Sequence, residues 1–217
     1  MKYLFYRPIK VVSEDINVCF WSDTHFNHAC LHWPNPLWKM RGFSSIEEHN
    51  EGLINRWNSV CNNQTTFFHL GDFIFGLDSK THFKSIINRL NFKTMYIMSG
   101  NHFSGWKHVF EEQKSNVWDV TDCKRVVFVP NYIEANVNGQ LLIMSHYPIL
   151  SFNGQSKNSI CLYGHVHRNL LKNPIGALYA EARTHEVTVE NCPSPINMKD
   201  LKSLFKNRQA AVFDHHN

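Results

Sequence analysis

The sequence predicts an α/β fold in which two stacked β-sheets carry helices on their outer faces. In the first half, apolar strand-like runs alternate with two amphipathic helical segments, which is the pattern of a βαβαβ unit with parallel strands. The second half changes to short apolar runs separated by turn residues, which is typical of hairpins. Because no repeat, low-complexity segment or linker interrupts the 217 residues, we expect a single domain over residues 1–217.

The first half contains the clearest elements. The run 18–21 (Val-Cys-Phe-Trp) is apolar throughout, as expected of a strand buried on both faces. Ser44 and Glu47 form a Ser-x-x-Glu capping box, which predicts that a helix over 44–60 begins there. The other elements predicted in this half are strands over 2–6, 10–12, 65–70 and 94–98, an ordered proline-rich loop over 32–40, a helix over 78–90 and a short helix over 104–113.

The second half is organised around one strong turn signal. Asn138-Gly139 separates two strand-like runs, and this dipeptide favours a type I′ hairpin because both residues tolerate a positive φ. The elements predicted here are strands over 126–129, 132–137, 140–144 and 159–163, a pair of strands over 178–183 and 186–190, and a helix over 198–206 capped by Asn197.

Composition limits the kinds of partner and compartment. The six cysteines are far apart and form no Cys-x-x-Cys, which indicates reduced thiols in a cytoplasmic protein. No apolar run is long enough for a signal peptide or a membrane span, so neither is expected. Lysine and arginine exceed acidic residues by four. This mild excess would help to attract a small anion and does not indicate a protein that binds long nucleic acid.

A polar cluster follows each of five predicted strands directly. Since the carboxyl ends of strands in an α/β sheet form its ligand-binding edge, these clusters are candidates for one common site. Three of them contain a glycine, which permits a tight turn and a close approach of the backbone. The clusters are Asp23-Thr24-His25, Gly71-Asp72, Gly100-Asn101-His102, Ser145-His146 and Gly164-His165-Val166-His167.

Each cluster alone has an ordinary explanation as a loop or turn, but five at strand ends predict a metal site. The set offers seven ligands, which is too many for one tetrahedral zinc ion and suits two divalent ions that share a carboxylate. Imidazole, carboxylate and amide ligands together suit Mn²⁺, Fe²⁺ or Zn²⁺. The seven predicted metal ligands are Asp23, His25, Asp72, Asn101, His146, His165 and His167.

This ordered set, from Asp23 to His167, resembles the calcineurin-like metallophosphoesterase superfamily. The finer resemblance is to its small single-domain bacterial and phage members. It rests on Ser-Asp-Thr-His-Phe-Asn-His at 22–28, Arg-Gly-Phe at 41–43, Leu-Gly-Asp-Phe at 70–73, and Val187-Thr188-Val189 with Pro195-Ile196. The resemblance implies a four-layer α/β-β-α sandwich of two mixed sheets flanked by helices. It also implies hydrolysis of a phosphomonoester or phosphodiester by a hydroxide that bridges two metals.

The resemblance also assigns roles to the ligands. Asp23, His25 and His167 would hold the first metal. Asn101, His146 and His165 would hold the second, and Asp72 would bridge the two. His102 would be the catalytic residue that protonates the leaving oxygen or stabilises the phosphate.

One position departs from the family pattern. Phe103 stands where an acidic residue usually orients the catalytic histidine. The candidates to replace that carboxylate in space are Glu111, Glu112, Asp119 and Asp122.

The substrate is less well defined by the sequence. The motif set serves monoesterases, diesterases and nucleases, and the absence of an added domain favours a small phosphate ester such as a nucleotide. The candidate substrate-binding residues are Arg41, Asn27, His28 and Tyr147, with an ordinary structural role as the alternative for each. The alternative function is a scaffold or binding protein on the same fold that has weakened catalysis.

Overall fold

The computed structural model describes residues 8–12, 14, 17–29, 34–75, 79–102, 111 and 115–208. The strands are β1 Ile9–Val11, β2 Val18–Trp21, β3 Thr66–His69, β4 Thr94–Met98, β5 Val117–Thr121, β6 Lys124–Val129, β7 Tyr132–Val137, β8 Gln140–Ser145, β9 Ile160–Tyr163, β10 Thr184–Glu186 and β11 Ile196–Asn197. The helices are α1 Leu37–Met40, α2 Ile46–Val60, α3 Ser79–Arg89, α4 Gly176–Glu181 and α5 Met198–Phe205.

The strands form two mixed sheets. One has the order β1-β7-β8-β9-β10, and the other has the order β11-β2-β3-β4-β6-β5. In the larger sheet β2, β3 and β4 are parallel neighbours, and in the smaller sheet β8 and β9 are parallel neighbours. Adjacent parallel strands end at the same edge, so the residues that follow these five strands are brought together.

Alternate residues of β2 point into two different cores, as the pleat of a strand requires. Phe20 packs in a cluster with Leu142 and Leu162 of the smaller sheet. Trp21 packs in a separate cluster with Trp57 of α2 and Phe83 of α3. The two sheets therefore stack face to face, with α2 and α3 on the outer face of the larger one. This confirms the predicted α/β class with stacked sheets and outer helices.

The capping box of α2 lies one residue later than predicted. Ser45 is the N-cap and accepts a hydrogen bond from the backbone N–H of Glu48. The Glu48 carboxylate in turn accepts from the backbone N–H of Ser44 at 2.7 Å. The sequence Ser-Ser-Ile-Glu-Glu contains two overlapping boxes. In the helix that begins after Ser45, Leu53 and Trp57 face the core.

The predicted strand pair over 178–183 and 186–190 is wrong. The chain instead forms α4, and β10 adds to the smaller sheet parallel to β9. Tyr179 and Ala182 are buried while Leu178 is exposed, and this three-residue spacing is helical rather than alternating. The Tyr179 ring packs edge-on against Tyr163 of β9 at 5.7 Å. Packing against the sheet edge therefore selected the helix.

Of the remaining predicted elements, some are confirmed and some lie outside the described residues. The hairpin at Asn138-Gly139 is confirmed, with φ of 49° and 87° at the two turn residues. Helix α5 begins after Asn197 as predicted, whereas edge strand β5 and the short helix α1 were not predicted. The predicted strand 2–6 and nearly all of the predicted helix 104–113 lie outside the described residues.

Two further observations concern cysteines and membranes. None of the described cysteines forms a disulfide, and Cys19 and Cys161 are buried in β2 and β9. No helix in the described ranges has the length and apolar character needed to cross a bilayer.

Candidate metal centre

The polar clusters that follow β2, β3, β4, β8 and β9 come together in two adjoining groups. The first group consists of Asp23, His25 and His167, and the second consists of Asp72, His146 and His165. Within each group the candidate ligand atoms all lie within 4.8 Å of one another. The structure thus brings six of the seven predicted ligands into two groups that could each hold a metal ion.

In the first group, one oxygen of Asp23 faces both imidazoles. Asp23 Oδ1 lies 3.7 Å from His25 Nε2 and 3.5 Å from His167 Nε2. The other oxygen, Oδ2, accepts hydrogen bonds from the backbone N–H of His165 at 2.9 Å and from the Ser22 hydroxyl. One side of the carboxylate is therefore fixed by the protein, and the other is directed at the ligand group.

In the second group, the protein fixes the tautomer of His146. Its Nδ1 lies 2.8 Å from the carbonyl of Leu70, to which it can only donate. Nε2 consequently presents a lone pair, and it lies 2.9 Å from Asn101 Oδ1. The same amide oxygen lies 2.9 Å from His165 Nδ1. Asn101, the seventh predicted ligand, thus stands among the acceptor atoms of this group.

Asp72 stands between the two groups. Its Oδ2 is 3.7 Å from His25 Nε2 in the first group and 3.6 Å from His146 Nε2 in the second. Its Oδ1 accepts the backbone N–H of His102 at 2.9 Å, which holds the carboxylate in place. This is the position that a bridging carboxylate of a two-metal site requires.

Buried acceptors without partners show that divalent cations fit these residues. Within the described part of the chain, Asp23 Oδ1 and His25 Nε2 are buried and have no hydrogen-bond partner. A buried carboxylate oxygen and an imidazole nitrogen in this state are costly unless a cation binds them. Carboxylate, imidazole and amide donors are suitable ligands for Mn²⁺, Fe²⁺ or Zn²⁺.

The backbone at the site is held in an unfavourable conformation. Five of the seven predicted ligands have a positive φ, between 45° and 70°. Such conformations cost of order 1–3 kcal/mol each and persist where surrounding contacts fix them. These five residues are Asp23, His25, Asp72, His165 and His167.

Burial and neighbouring charges prepare the ligands for cations. Burial lowers the pKa of His25 and of His165 below that of a free imidazole, so both are neutral near pH 7. Burial alone would raise the pKa of Asp23, but the imidazoles of His25 and His167 outweigh it and lower that pKa. Asp23 is therefore ionised and His25 and His165 are neutral, which are the metal-binding forms. Burial alone would lower the pKa of His167, but Glu190 and Asp23 outweigh it and raise that pKa.

His102 lies at the open side of the site. Its side chain is 38% exposed, and its Nε2 is 4.0 Å from Asp72 Oδ2. The ring also packs edge-on against Phe75 at 5.1 Å. Phe103 lies outside the described residues, and Asp119, one candidate to replace the missing carboxylate, forms an ion pair with Arg125 at 3.0 Å.

Two of the candidate substrate-binding residues lie beside the ligands. Tyr147 is 43% exposed, and its ring is 4.7 Å from that of His165. His28 is buried, with its ring 5.3 Å from that of His25 and 4.4 Å from that of Phe75. Tyr147 is thus accessible to a substrate, whereas His28 forms part of the wall next to the first group.

The other two candidates are engaged within the protein. The Asn27 side chain accepts a hydrogen bond from the side-chain amide of Asn50 on α2. Arg41 has a side chain that is only 4% exposed, and it forms four hydrogen bonds, to Glu190, Thr24, His49 and Asp23, besides its ion pair with Glu190. Arg41 also lines a cavity beside His167, and its contact with the substrate stays a prediction.

Sequence reasoning missed two residues that hold the site together. Glu190 contacts both His167 and Arg41. Asn131 accepts hydrogen bonds from the backbone N–H of Gly100 and the hydroxyl of Ser99, each at 3.0 Å, and so fixes the turn before Asn101. The only signal in the sequence was an acidic residue after the Val-Thr-Val run at 187–189, and Asn131 gave none.

Buried histidines next to the site make the metal-free protein sensitive to acid. Burial lowers the pKa of His69 and of His49 to about 3. The unfolded chain binds protons near pH 6.5 while the folded chain does not. The free energy of unfolding is therefore undiminished above pH 6.5 and decreases below it, by up to about 1.4 kcal/mol per pH unit for each histidine.

Urea denaturation of the metal-free protein between pH 7.5 and 5.5 measures this decrease, in a range above the ordinary pKa of carboxylates. His69→Gln should make the pH dependence shallower, and replacement of the exposed His82 by Gln should not. A free energy of unfolding that stays constant over this range would contradict the prediction.

Comparisons with known proteins show the fold and no more. No family model matches the chain. An uncharacterized protein of Methanocaldococcus jannaschii is 37% identical over 82 residues, which cover 37% of this chain and 43% of that protein. The chain therefore matches less than half the length of this relative. The crystal structure of a protein of unknown function from Aquifex aeolicus has a TM-score of 0.61 at 20% identity, and the similarity covers 86% of this chain and 98% of the other.

Proposed function

We propose that this protein is a dinuclear-metal phosphoesterase of the calcineurin-like type, with the four-layer α/β-β-α sandwich of that superfamily. The observation that carries the proposal is the position of Asp72 Oδ2, within 3.7 Å of an imidazole nitrogen in each ligand group. One carboxylate between two ligand groups matches a site that holds two metals about 3.5–4 Å apart. The second support is the complete set of seven ligand residues in the order that the superfamily shows.

When bound, two divalent ions supply a nucleophile from water at neutral pH and neutralise charge on the phosphoryl oxygens. The chain's own residues prepare this chemistry. The backbone N–H of His102 orients Asp72. The carbonyl of Leu70 accepts a hydrogen bond from Nδ1 of His146, so that the lone pair lies on Nε2. Fixed groups of this kind need no rearrangement when charge develops in the reaction.

The proton for the leaving oxygen would come from His102. Its imidazole is the accessible one next to Asp72, at 4.0 Å, and faces the open side of the site. A histidine in this position can donate from Nε2 to an ester oxygen as the bond to phosphorus breaks.

The surface beside the first ligand group suits an anionic substrate. A cavity of about 600 Å³ opens next to His167, and its lining includes four cationic side chains, Arg41, Arg56, Arg168 and Lys172, and one carboxylate, Glu190. Four cations against one carboxylate attract phosphate groups, and the volume is within the range of small-ligand sites. These features support a small phosphate ester, with a nucleotide as the favoured substrate, in place of long nucleic acid.

The rival function is a binding or scaffold protein on the same fold. It predicts metal binding without turnover. The assembled ligand set and the accessible His102 favour the enzyme.

Two measurements test both functions. One is elemental analysis of protein that has not been exposed to a chelator, and the other is a substrate screen of metal-reconstituted protein. The screen uses aryl phosphomonoesters, aryl phosphodiesters, and 2′,3′- and 3′,5′-cyclic nucleotides. The enzyme predicts two divalent ions per chain and turnover of at least one ester class. Two ions with no turnover would favour the scaffold, and no bound metal would refute both.

Replacement of His102 by alanine tests the proton donor. We expect turnover to fall by roughly 10²- to 10⁴-fold, the usual contribution of a general acid, while metal content stays at the wild-type level. His82→Ala removes an exposed histidine of α3 and is the matched control. Loss of metal from the His102 variant would show instead that this residue is a ligand.

A further inference from the structure

A partly buried ion pair lies beside the first ligand group, in the wall of the cavity that His167 also lines. Glu190 lies in the turn after β10, and Arg41 follows α1, so the two residues are 149 positions apart in the chain. Arg41 Nε and Nη2 each lie 2.9 Å from Glu190 Oε1. The Arg41 side chain is 4% exposed and that of Glu190 is 21% exposed.

The second oxygen of Glu190 reaches a predicted metal ligand. Glu190 Oε2 lies 2.9 Å from His167 Nδ1, and His167 Nε2 on the far side of the ring faces Asp23 Oδ1. A carboxylate at Nδ1 keeps the proton on that nitrogen, so that the lone pair of Nε2 points at the metal position. Glu190 Oε2 and His167 Nδ1 are both buried and have no other hydrogen-bond partner among the described residues, so the negative charge of Glu190 at 2.9 Å favours the tautomer of His167 that can bind a cation.

The other donors of Arg41 hold the backbone of the opposite ligand. Nη2 donates to the carbonyl of Asp23 at 2.6 Å, and Nη1 donates to the carbonyl of Thr24 at 2.8 Å. Asp23 has a φ of 56°, an unfavourable conformation that needs such contacts to persist. His49 Nε2 accepts the remaining Nη1 donor at 3.0 Å.

We propose that Glu190 and Arg41 are positioning residues of the first metal site, where together they fix the His167 ring and the Asp23 backbone. The inference rests on the proposed function, since it assumes a metal between these two ligands. It gives Arg41 a role different from the substrate contact that the sequence suggested.

The electrostatics of the pair agree with this role. Burial alone would raise the pKa of Glu190, but His167 and Arg41 lower that pKa to about 2. The carboxylate is therefore ionised at neutral pH. Because both of its oxygens face donors, an uncharged substitute of the same shape cannot satisfy the two partners at once. In Glu190→Gln, the amide NH₂ would face either Arg41 or His167.

Mn²⁺ titration of Glu190→Gln tests the proposal, with electron paramagnetic resonance and calorimetry as readouts of metal binding. We expect the first site to weaken by roughly 10- to 100-fold, the usual effect of losing a residue that orients a metal ligand. The second site should keep its affinity, so the spectrum at limiting Mn²⁺ should change from a coupled pair to a single ion. In a His146→Ala background, which weakens the second site, Glu190→Gln should weaken the remaining Mn²⁺ binding.

Two further variants complete the design. Arg41→Lys keeps the charge and loses the forked donor, so it should weaken the first site in the same direction and serves if Glu190→Gln does not fold. Glu51→Gln breaks the exposed ion pair with Arg89 at 2.6 Å and should leave Mn²⁺ binding unchanged.

The possible failures can be told apart. Wild-type affinity at both sites in Glu190→Gln and Arg41→Lys would overturn the inference and leave the proposed function standing. Equal weakening of both sites, with a lower melting temperature of the metal-free protein, would also overturn it, since it indicates a purely structural pair. A wild-type protein that binds no Mn²⁺ would overturn the proposed function itself.

Discussion

If the proposed phosphoesterase activity is present, Asp72→Asn should reduce turnover by more than about a hundredfold. Loss of a residue that only orients a metal ligand costs roughly 10- to 100-fold, and Asp72 lies between the two ligand groups. Asparagine keeps the shape and one acceptor for the backbone N–H of His102. It loses the negative charge that two cations would share.

The fold should survive this substitution. Asp72 and Asp23 are both buried, and each lies 3.7 Å from His25. Removal of one negative charge therefore lessens the repulsion between the two carboxylates in the metal-free protein. The measurements are turnover of an aryl phosphodiester, metal content, and melting temperature without metal. The exposed Asp119→Asn is the matched control. Wild-type turnover with two bound metals would refute the bridging role of Asp72.

Gly100→Ala should lower the free energy of unfolding by about 2–5 kcal/mol and weaken metal binding. Gly100 has a φ of 71°, and a Cβ there would overlap the carboxylate and the backbone nitrogen of Asp72. The backbone strain contributes about 1–2 kcal/mol, and overpacking contributes about 1–3 kcal/mol. The overlap also displaces the one carboxylate that both ligand groups face.

Gly139→Ala separates these two causes. Gly139 has a φ of 87° in the β7–β8 hairpin, and a Cβ at this position would have no other atom within 4 Å. It should show the backbone strain alone, about 1–2 kcal/mol, with metal affinity unchanged. Urea denaturation and Mn²⁺ titration of both variants provide the comparison. Equal losses in the two variants would show that the contact with Asp72 contributes nothing.

Predictions that rest on a short local motif were more accurate than predictions for segments whose structure depends on tertiary packing. The hairpin at Asn138-Gly139 depends on two residues that tolerate positive φ, and it was found at its position. The segment 178–183 was predicted as a strand because its apolar residues fit a short strand, but the contact of Tyr179 with Tyr163 made it a helix. Local propensity is weak in such short segments, and tertiary packing decides between helix and strand.

The meeting of the predicted ligand residues at one edge could be anticipated from the arrangement of the strands. Parallel strands end at a common edge, so the polar residues after β2, β3 and β4 could be expected to meet without knowledge of the side-chain geometry. The same rule could not indicate which ligand would be oriented by which neighbour. Asn131, which fixes the turn at Gly100 through two hydrogen bonds, lies in a loop with no distinctive pattern.

The sequence by itself was enough to predict seven side chains as metal ligands, in their order along the chain and at their strand ends, and the structure brings six of them into two groups that could hold a metal ion. Only the tertiary structure decided how those ligands are held. The sequence predicted a phosphate contact for Arg41, because an arginine in a loop near the site can bind an anion and its other contacts are not visible in the sequence. The structure shows in addition that Arg41 forms hydrogen bonds with groups such as Glu190, 149 positions away. Contacts between residues so far apart depend on how the sheets and loops pack, and no local pattern in the chain encodes them.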